Sequence, residues 1–310
     1  MNLEFHHYQL PLRSAANSQS AAGSVEGLLI RADGGDGGYG CLQTWPSLGE
    51  RSWQEEWTAI KRGDWSSPVA ERLRACLRAD AQGFQNGASS FEGCTLPTSY
   101  FTVSGADGIE ALEAANSAGF AGGKIKGSSD WQSTLTKLRS FHQALPEWDW
   151  RVDFNGALDV GELRAICAGL DESLRQKISY LEDPCDDNQA WPEIDGVRLA
   201  EDRISSSGAS SAVRVLKPAI HDWRQSSPAR DLVLTTNFQH PLGMLFDWWE
   251  AGQAELAGRD LLPCGLVTQG IFAGNEWSEA LGPVVPNPQP PSGLGLGLRD
   301  LLENLKWERA

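Results

Sequence analysis

Two lysines, Lys124 and Lys126, stand two residues apart in the segment GGKIKG (122–127). Further along, charged residues recur at the ends of short β-type runs. Asp153 and Asn155 end WRVDFNG, Glu182 and Asp183 end ISYLEDP, Glu201 and Asp202 end VRLAED, and Lys217 ends AVRVLKP. A following run, DLVLTTN, ends in Thr235, Thr236 and Asn237. Residues two apart on a strand share a face, so both lysines of KIK project the same way. Three consecutive runs each supply a carboxylate. Gathered in one place, three carboxylates repel strongly unless a cation sits among them. Oxygen ligands with no His or Cys nearby favour a hard ion, Mg²⁺ over Zn²⁺, with Mn²⁺ as a substitute. Lysines flank this acidic group on both sides. Such a site suits removal of a proton from carbon next to a carboxylate. The metal and one ammonium hold the negative enediolate while a neutral lysine takes the proton.

Each feature alone has a plainer explanation. A K-x-K is usually a solvated edge, and an acidic pair at a strand end commonly caps the next helix. The joint order carries the reading. The residues fall on consecutive runs, and each gap holds about one strand-plus-helix unit. The C-terminal ends of successive parallel barrel strands open into one mouth, where enzymes of this fold hold their active sites.

The elements that must position these residues can be read from the same chain. Eight runs, SYFTVS, GGKIKG, WRVDFNG, ISYLEDP, VRLAED, AVRVLKP, DLVLTTN and CGLVTQG, alternate with helical stretches at 107–118, 129–144, 159–172 and 241–257. Asp159 and Glu162 form a capping box for the third of these. The alternation predicts a parallel α/β barrel. The runs span only about 170 residues, short of the ~200 at the lower end for this fold, so some helices must be truncated, notably after the fifth and sixth runs. An open doubly wound sheet is the second architecture, but no G-x-G-x-x-G opens a helix.

Before the barrel, residues 1–97 read as an α+β capping domain. Strands are expected at 3–12 and 25–33, joined by the small, polar loop 13–24. Ser47 with Glu50 predicts a capped helix running to about Arg62, and Ser67-Pro68 opens another. Residues 98–281 make the barrel domain. Residues 282–310 form a Pro/Gly-rich linker and a last helix, with Leu298, Leu301, Leu302 and Leu305 on one face, that packs back on the capping domain.

Composition narrows the function. With 26 basic and 41 acidic residues the formal net charge is −15, which disfavours nucleic acid and anionic membranes as partners. Only seven of the basic residues are lysine, and three of them fall in the series above. The six cysteines match no zinc spacing and read as free thiols. The chain start has neither the basic region nor the apolar run of a signal peptide, and no stretch approaches the ~20 apolar residues of a membrane span. A cytoplasmic protein acting on a small-molecule carboxylate, with no obligate protein partner, is the expectation.

At these residues the sequence resembles the enolase superfamily. KIK looks like its K-x-K, RVDFNG like its R-x-D-x-N strand, LEDPC like its L-E-[ED]-P-C, and VLKPAI like its lysine-proline strand. GYGCLQTWP (38–46) resembles the loop that closes over the site, and CGLVTQGIF (264–272) the end of the last strand. The resemblance spans about 25–272 and is nearest to the group that makes o-succinylbenzoate. It implies a TIM-type modified (β/α)7β barrel with an N-terminal α+β capping domain. It implies a lyase: Mg²⁺-dependent syn elimination of water from 2-succinyl-6-hydroxy-2,4-cyclohexadiene-1-carboxylate, in menaquinone biosynthesis.

Carried over residue by residue, the resemblance makes Asp153, Glu182 and Glu201 the metal ligands, with Asn155 and Asp202 orienting them. Lys126 is the base that later returns a proton to the departing hydroxyl. Lys124 is a cation holding the carboxylate, and Lys217 a cation on the opposite face. Arg151 helps through water, Thr235, Thr236 and Thr268 meet the succinyl end, and the 13–24 loop is a lid. The chain departs from the pattern at Cys41, where the family loop has Glu, which suggests an altered lid contact. It departs again at AEDRIS, where the family has D-E-S. Rival readings are an N-succinylamino acid racemase or another epimerase or cycloisomerase of the superfamily, with Lys126 and Lys217 as two bases, and a noncatalytic binding barrel. Dipeptide epimerisation would want an acidic pair on the last run, and GLVTQG is neutral there.

Overall fold

The computed structural model describes residues 2–13, 23–33, 37–104, 107–186, 191–202, 211–227 and 230–310. Most of the expected lid, 14–22, lies outside them. The chain opens with β1 (Asn2–Pro11) and β2 (Ser24–Asp33), antiparallel partners over their full length, and β3 (Tyr39–Leu42) joins the other edge of β2.

The first helix, α1 (Trp53–Lys61), starts later than the Ser47–Glu50 spacing predicts. The same spacing recurs at Ser52 and Glu55, and there both halves of the capping box form. The earlier copy makes only a 3-10 turn, Pro46–Leu48, ended by Gly49 in the left-handed conformation (φ 88°). The Glu50 carboxylate accepts instead from the Trp45 N–H at 2.8 Å. The second helix, α2 (Pro68–Gln85), begins as read, with the Ser67 side chain accepting from the Ala70 N–H. Its buried stripe of Val69, Ala70, Leu73 and Leu77 packs on Leu28, Ile30 and Leu42 of the sheet.

The barrel follows. Seven parallel strands run side by side in chain order: β4 (Phe101–Val103), β5 (Gly122–Lys126), β6 (Asp149–Asp153), β7 (Ile178–Glu182), β8 (Leu199–Glu201), β9 (Val213–Leu216) and β10 (Asp231–Leu234). The helices between them include α3 (Ile109–Ser117), α4 (Trp131–Ala144), α5 (Val160–Gly169) and α6 (Glu172–Lys177), with α7 (Pro241–Leu256) after β10. Among the described residues, the connection after β9 carries only a 3-10 turn at Trp223–Gln225.

The eighth run makes no strand of its own, yet it closes the ring. Cys264 bridges Ser99 on one side and Gly265 bridges Thr235 on the other, both in parallel sense. The Gly265 N–H donates to the Leu234 carbonyl at 2.9 Å, and the Cys264 carbonyl accepts from Tyr100 at the same distance. One bridged residue on each edge, backed by these hydrogen bonds, joins the run to both neighbours.

Inside the ring, Tyr180, Ala200, Val213, Val215 and Val233 pack together. These inward residues establish the parity of their strands, so every second residue beyond them also faces in. After α7 come α8 (Glu276–Ala280) and the single turn α9 (Arg299–Glu303), where Leu298 and Leu302 are buried. A last short strand, β11 (Glu308–Arg309), pairs with β1, and Arg299 meets Asp80 of α2 at 3.1 Å. No helix among the described residues is long and apolar enough to cross a membrane.

Two ties hold the N-terminal elements over the barrel mouth. Trp45 Nε1 donates to the Asn237 carbonyl at 2.7 Å, and Gln43 Nε2 to that of Phe238 at 3.1 Å. Deeper in, Glu250 of α7 is buried and accepts from Arg72 of α2, from Trp223 Nε1 (2.7 Å) and from Arg224 (2.8 Å). Removing one partner of a buried, hydrogen-bonded ion pair costs about 3–5 kcal/mol, since the other charge stays buried. Glu250→Ala should therefore lower unfolding free energy by that amount in urea titration; a loss under about 1 kcal/mol would show the node to be dispensable.

Candidate active site

The C-terminal ends of β5–β10 surround a cavity of about 590 Å³, covered on one side by the 45–50 turn. Lys124 and Lys126 both face into it, as their spacing requires. Gly122, next back on the same face, lies against the Tyr100 ring. A Cβ there would come within 2.7 Å of that ring and 2.6 Å of the Asp149 carbonyl. Glycine thus lets Tyr100 fill the barrel beneath the lysines.

The cavity holds a balanced set of charges. Lys124 Nζ lies 2.9 Å from Asp153 and 2.7 Å from Glu182, and Lys126 Nζ lies 2.6 Å from Asp153. Across the mouth, Lys217 pairs with Asp202. The lysines of KIK differ in access: the Lys126 side chain is 43% exposed and that of Lys124 18%. Burial works against the Lys124 charge, but Asp153 and Glu182 outweigh it and hold its pKa above the ordinary lysine value. Burial would raise Asp153, and Lys124 with Lys126 reverse that and hold it well below the usual carboxylate range. Glu182 goes the other way. Burial and the Asp153 charge raise it in spite of Lys124.

Glu201, the ligand expected by alignment, does not face the cavity. Its carboxylate is buried on the outer side of the barrel against Arg214 and Arg230. Parity explains the reversal: Ala200 packs in the interior cluster, so Asp202 faces in and Glu201 faces out. Asp202, expected only to orient ligands, takes the inward place.

Other expected residues divide similarly. Asn155 lines the cavity from a left-handed turn (φ 50°), and its N–H donates to Asp153 Oδ1 at 3.1 Å. Thr235, Thr236 and Thr268 line the far wall, where the hydroxyls of Thr236 and Thr268 meet at 2.6 Å. Arg151 borders the cavity floor, and its two terminal nitrogens donate to the Tyr180 hydroxyl (2.8 Å) and to the carbonyls of Cys264 and Pro263. It holds the eighth run to the barrel interior. Cys41 lies within β3, its thiol 3.5 Å from the Tyr8 hydroxyl and pushed up to about 12 mainly by burial. It does not line the cavity, and most of the loop it was expected to meet lies outside the described residues.

Several cavity residues carry no signal in the motifs. Trp45 and Glu50 reach over from the N-terminal turn, and His221 and Phe238 come from loops after β9 and β10. The GYGCLQTWP match points to the covering turn but not to which side chains enter. Asp183 sits in the LEDP motif itself. Its carboxylate accepts from the Asp202 N–H at 3.1 Å, and burial with the Asp202 and Glu182 charges pushes its pKa up to about 7.

The donor set suits a hard divalent cation. Asp153, Glu182 and Asp202 come from adjacent strands and offer only oxygen. Among the described residues no group of acidic, His or Cys side chains is arranged to hold a metal as it stands, because each carboxylate is turned to a lysine. Two buried carboxylate oxygens, Glu182 Oε2 and Asp202 Oδ1, nevertheless lack any hydrogen-bond partner. Unpartnered buried oxygens of this kind fit an ion between them.

Known proteins share this organisation. Residues 3–83 match the family model "O-succinylbenzoate synthase, N-terminal domain", and residues 108–205 match "Enolase C-terminal domain-like". An o-succinylbenzoate synthase of Bdellovibrio bacteriovorus is 25% identical over 99% of this chain and 98% of its own. A dipeptide epimerase of Enterococcus faecalis superposes with a TM-score of 0.77 at 12% identity, covering 96% of this chain and 98% of its own. The muconate lactonizing enzyme of Pseudomonas putida gives 0.74 at 13% identity over 95% of each chain. Matches to both halves, a relative aligned end to end, and a capped barrel with lysines and acids at successive strand ends lead to one assignment: the chain belongs to the enolase superfamily.

Proposed function

We propose that the protein is an o-succinylbenzoate synthase, dehydrating 2-succinyl-6-hydroxy-2,4-cyclohexadiene-1-carboxylate to 2-succinylbenzoate. The supporting observation is the facing of Lys126 and Lys217 across Asp153, Glu182 and Asp202 in one cavity. The N-terminal family match and the full-length relative favour this reaction over others of the superfamily.

Asp153, Glu182 and Asp202 would hold the divalent cation, Mg²⁺ by the all-oxygen donor set. Once bound, the cation supplies Lewis-acid polarisation of the substrate carboxylate. Lys126, the more open lysine of its pair, takes the proton from the carbon next to that carboxylate. It then gives the proton to the departing hydroxyl, so water leaves and the lysine ends as it began. Lys124, clamped between two carboxylates, stays an ammonium and orients. Lys217 presents positive charge on the opposite face. Thr235, Thr236 and Thr268 offer hydroxyls to the succinyl end. The product ring is aromatic, so the elimination is downhill and asks more for positioning than for catalytic power.

N-succinylamino acid racemisation is the second reading, favoured by the same opposition of Lys126 and Lys217, which suits two bases. Assaying dehydration and racemisation side by side with Mg²⁺ separates the two, and dehydration is expected to be the faster. Racemisation without measurable dehydration would overturn the proposal. Lys126→Ala should lower dehydration by at least about 10²–10⁴-fold, the usual worth of a general acid–base, while calorimetry still detects Mg²⁺ binding.

Lys217→Arg keeps the charge and should retain clearly more dehydration than Lys217→Ala; equal and total loss in both would point to a second base. Asp202→Asn should weaken Mg²⁺ binding by calorimetry and depress turnover. Glu201→Gln should leave Mg²⁺ affinity near the starting value and lower thermal stability instead. The opposite pattern would return the ligand role to Glu201.

A further inference from the structure

The turn after β9 closes on the main chain of Lys217. The Lys217 carbonyl accepts the N–H groups of Ile220 (2.9 Å) and His221 (2.8 Å). β9 ends at Leu216, so the Lys217 N–H lies beyond the last ladder residue of that strand. A backbone donor beside a buried site needs a partner. A side chain provides it: the Lys217 N–H donates to His221 Nδ1 at 3.2 Å. One residue on, the Pro218 carbonyl accepts from Arg72 Nε at 2.8 Å. Two side chains thus fix the base of the Lys217 side chain, one from its own turn and one from α2.

We propose that His221 is a positioning residue for Lys217, its Nδ1 holding the main chain so that the ammonium keeps its place beside Asp202. The proposal rests on the reading of Lys217 as a group of the reacting site. An Nδ1 that accepts a backbone N–H carries no proton, so the neutral ring bears its proton on Nε2. A protonated ring would set N–H against N–H. The surroundings prevent that. Burial first, then the Lys217 charge, with Arg214 and Arg72 adding and Asp202 opposing, holds the His221 pKa down to about 4. His221 also lines the cavity itself. No motif on the strand announces it, since the lysine-proline signature ends at Pro218.

His221→Leu removes the acceptor and roughly keeps the bulk. It should lower kcat about 10- to 100-fold, the scale for a misplaced reacting group, with KM changed less than about 3-fold. His221→Asn offers an oxygen near the position of Nδ1 and should recover most of the loss. In a Lys217→Ala background His221→Leu should have no further effect on kcat, because the residue acts only through Lys217. Hydrogen exchange of the peptide carrying Lys217 supplies a readout independent of turnover. Its amide should exchange roughly tenfold faster in His221→Leu than in the parent or in His221→Asn.

Unchanged kcat in His221→Leu, or an equal loss in the Lys217→Ala background, would overturn the proposal, as would unchanged exchange in a folded His221→Leu. Should His221→Leu fail to fold, His221→Asn and His221→Gln carry the same comparison of acceptor kept against acceptor displaced. If the parent shows no dehydration, the reaction assigned above fails on its own. The exchange measurement then still decides whether His221 holds Lys217.

Discussion

Charge balance in a buried mouth is the constraint on which this structure turns. Three carboxylates on adjacent strands would repel at close range, and burial makes each charge costlier to keep. The molecule answers with lysines from both flanks. Lys124 bridges Asp153 and Glu182, Lys126 adds to Asp153, and Lys217 takes Asp202. The balance is tightest at Glu182, whose pKa stays raised in spite of Lys124 and whose Oε2 has no partner.

The barrel alone does not complete that mouth. Trp45 and Glu50 reach over it from the N-terminal turn, and that turn is tied to the barrel through the carbonyls of Asn237 and Phe238. Glu250 of α7 gathers donors from α2 and the turn after β9 in one buried node. The same turn holds Lys217. Packing between the two parts of the molecule, the position of the cavity cover and the seat of Lys217 therefore share a few hydrogen bonds.

Much of this was legible before any coordinates. Local signals whose meaning depends only on neighbours in the chain held up: Ser67-Pro68 opens α2, Asp159 and Glu162 cap α5, and the lysines of KIK share a face. Signals that need a distant partner misled. Ser47 and Ser52 offer the same capping spacing, and the choice fell to a left-handed Gly49 and to the pull of Trp45 on Glu50. CGLVTQG reads as a strand, yet it pairs for only a residue or so on each side while still closing the ring. Arg151, taken from the likeness of RVDFNG to R-x-D-x-N, borders the cavity and also braces Tyr180 and the eighth run, a contact no spacing announces.

The sequence by itself determined which chemistry was available: its lysines and acids recur at strand-end spacing, and strand periodicity alone sends residues two apart to one face. It could not choose between Glu201 and Asp202. Both faces of a barrel strand are buried, so hydrophobic patterning does not tell inside from outside. Only the closed ring, with Ala200 packed against Tyr180, Val213 and Val233, decides that Asp202 looks into the mouth and Glu201 out to Arg214. The entry of Trp45, Glu50 and His221 was likewise a tertiary decision. Each is brought in by contacts to residues far along the chain or by a turn with no periodic signature, and spacing along a strand carries no information about either.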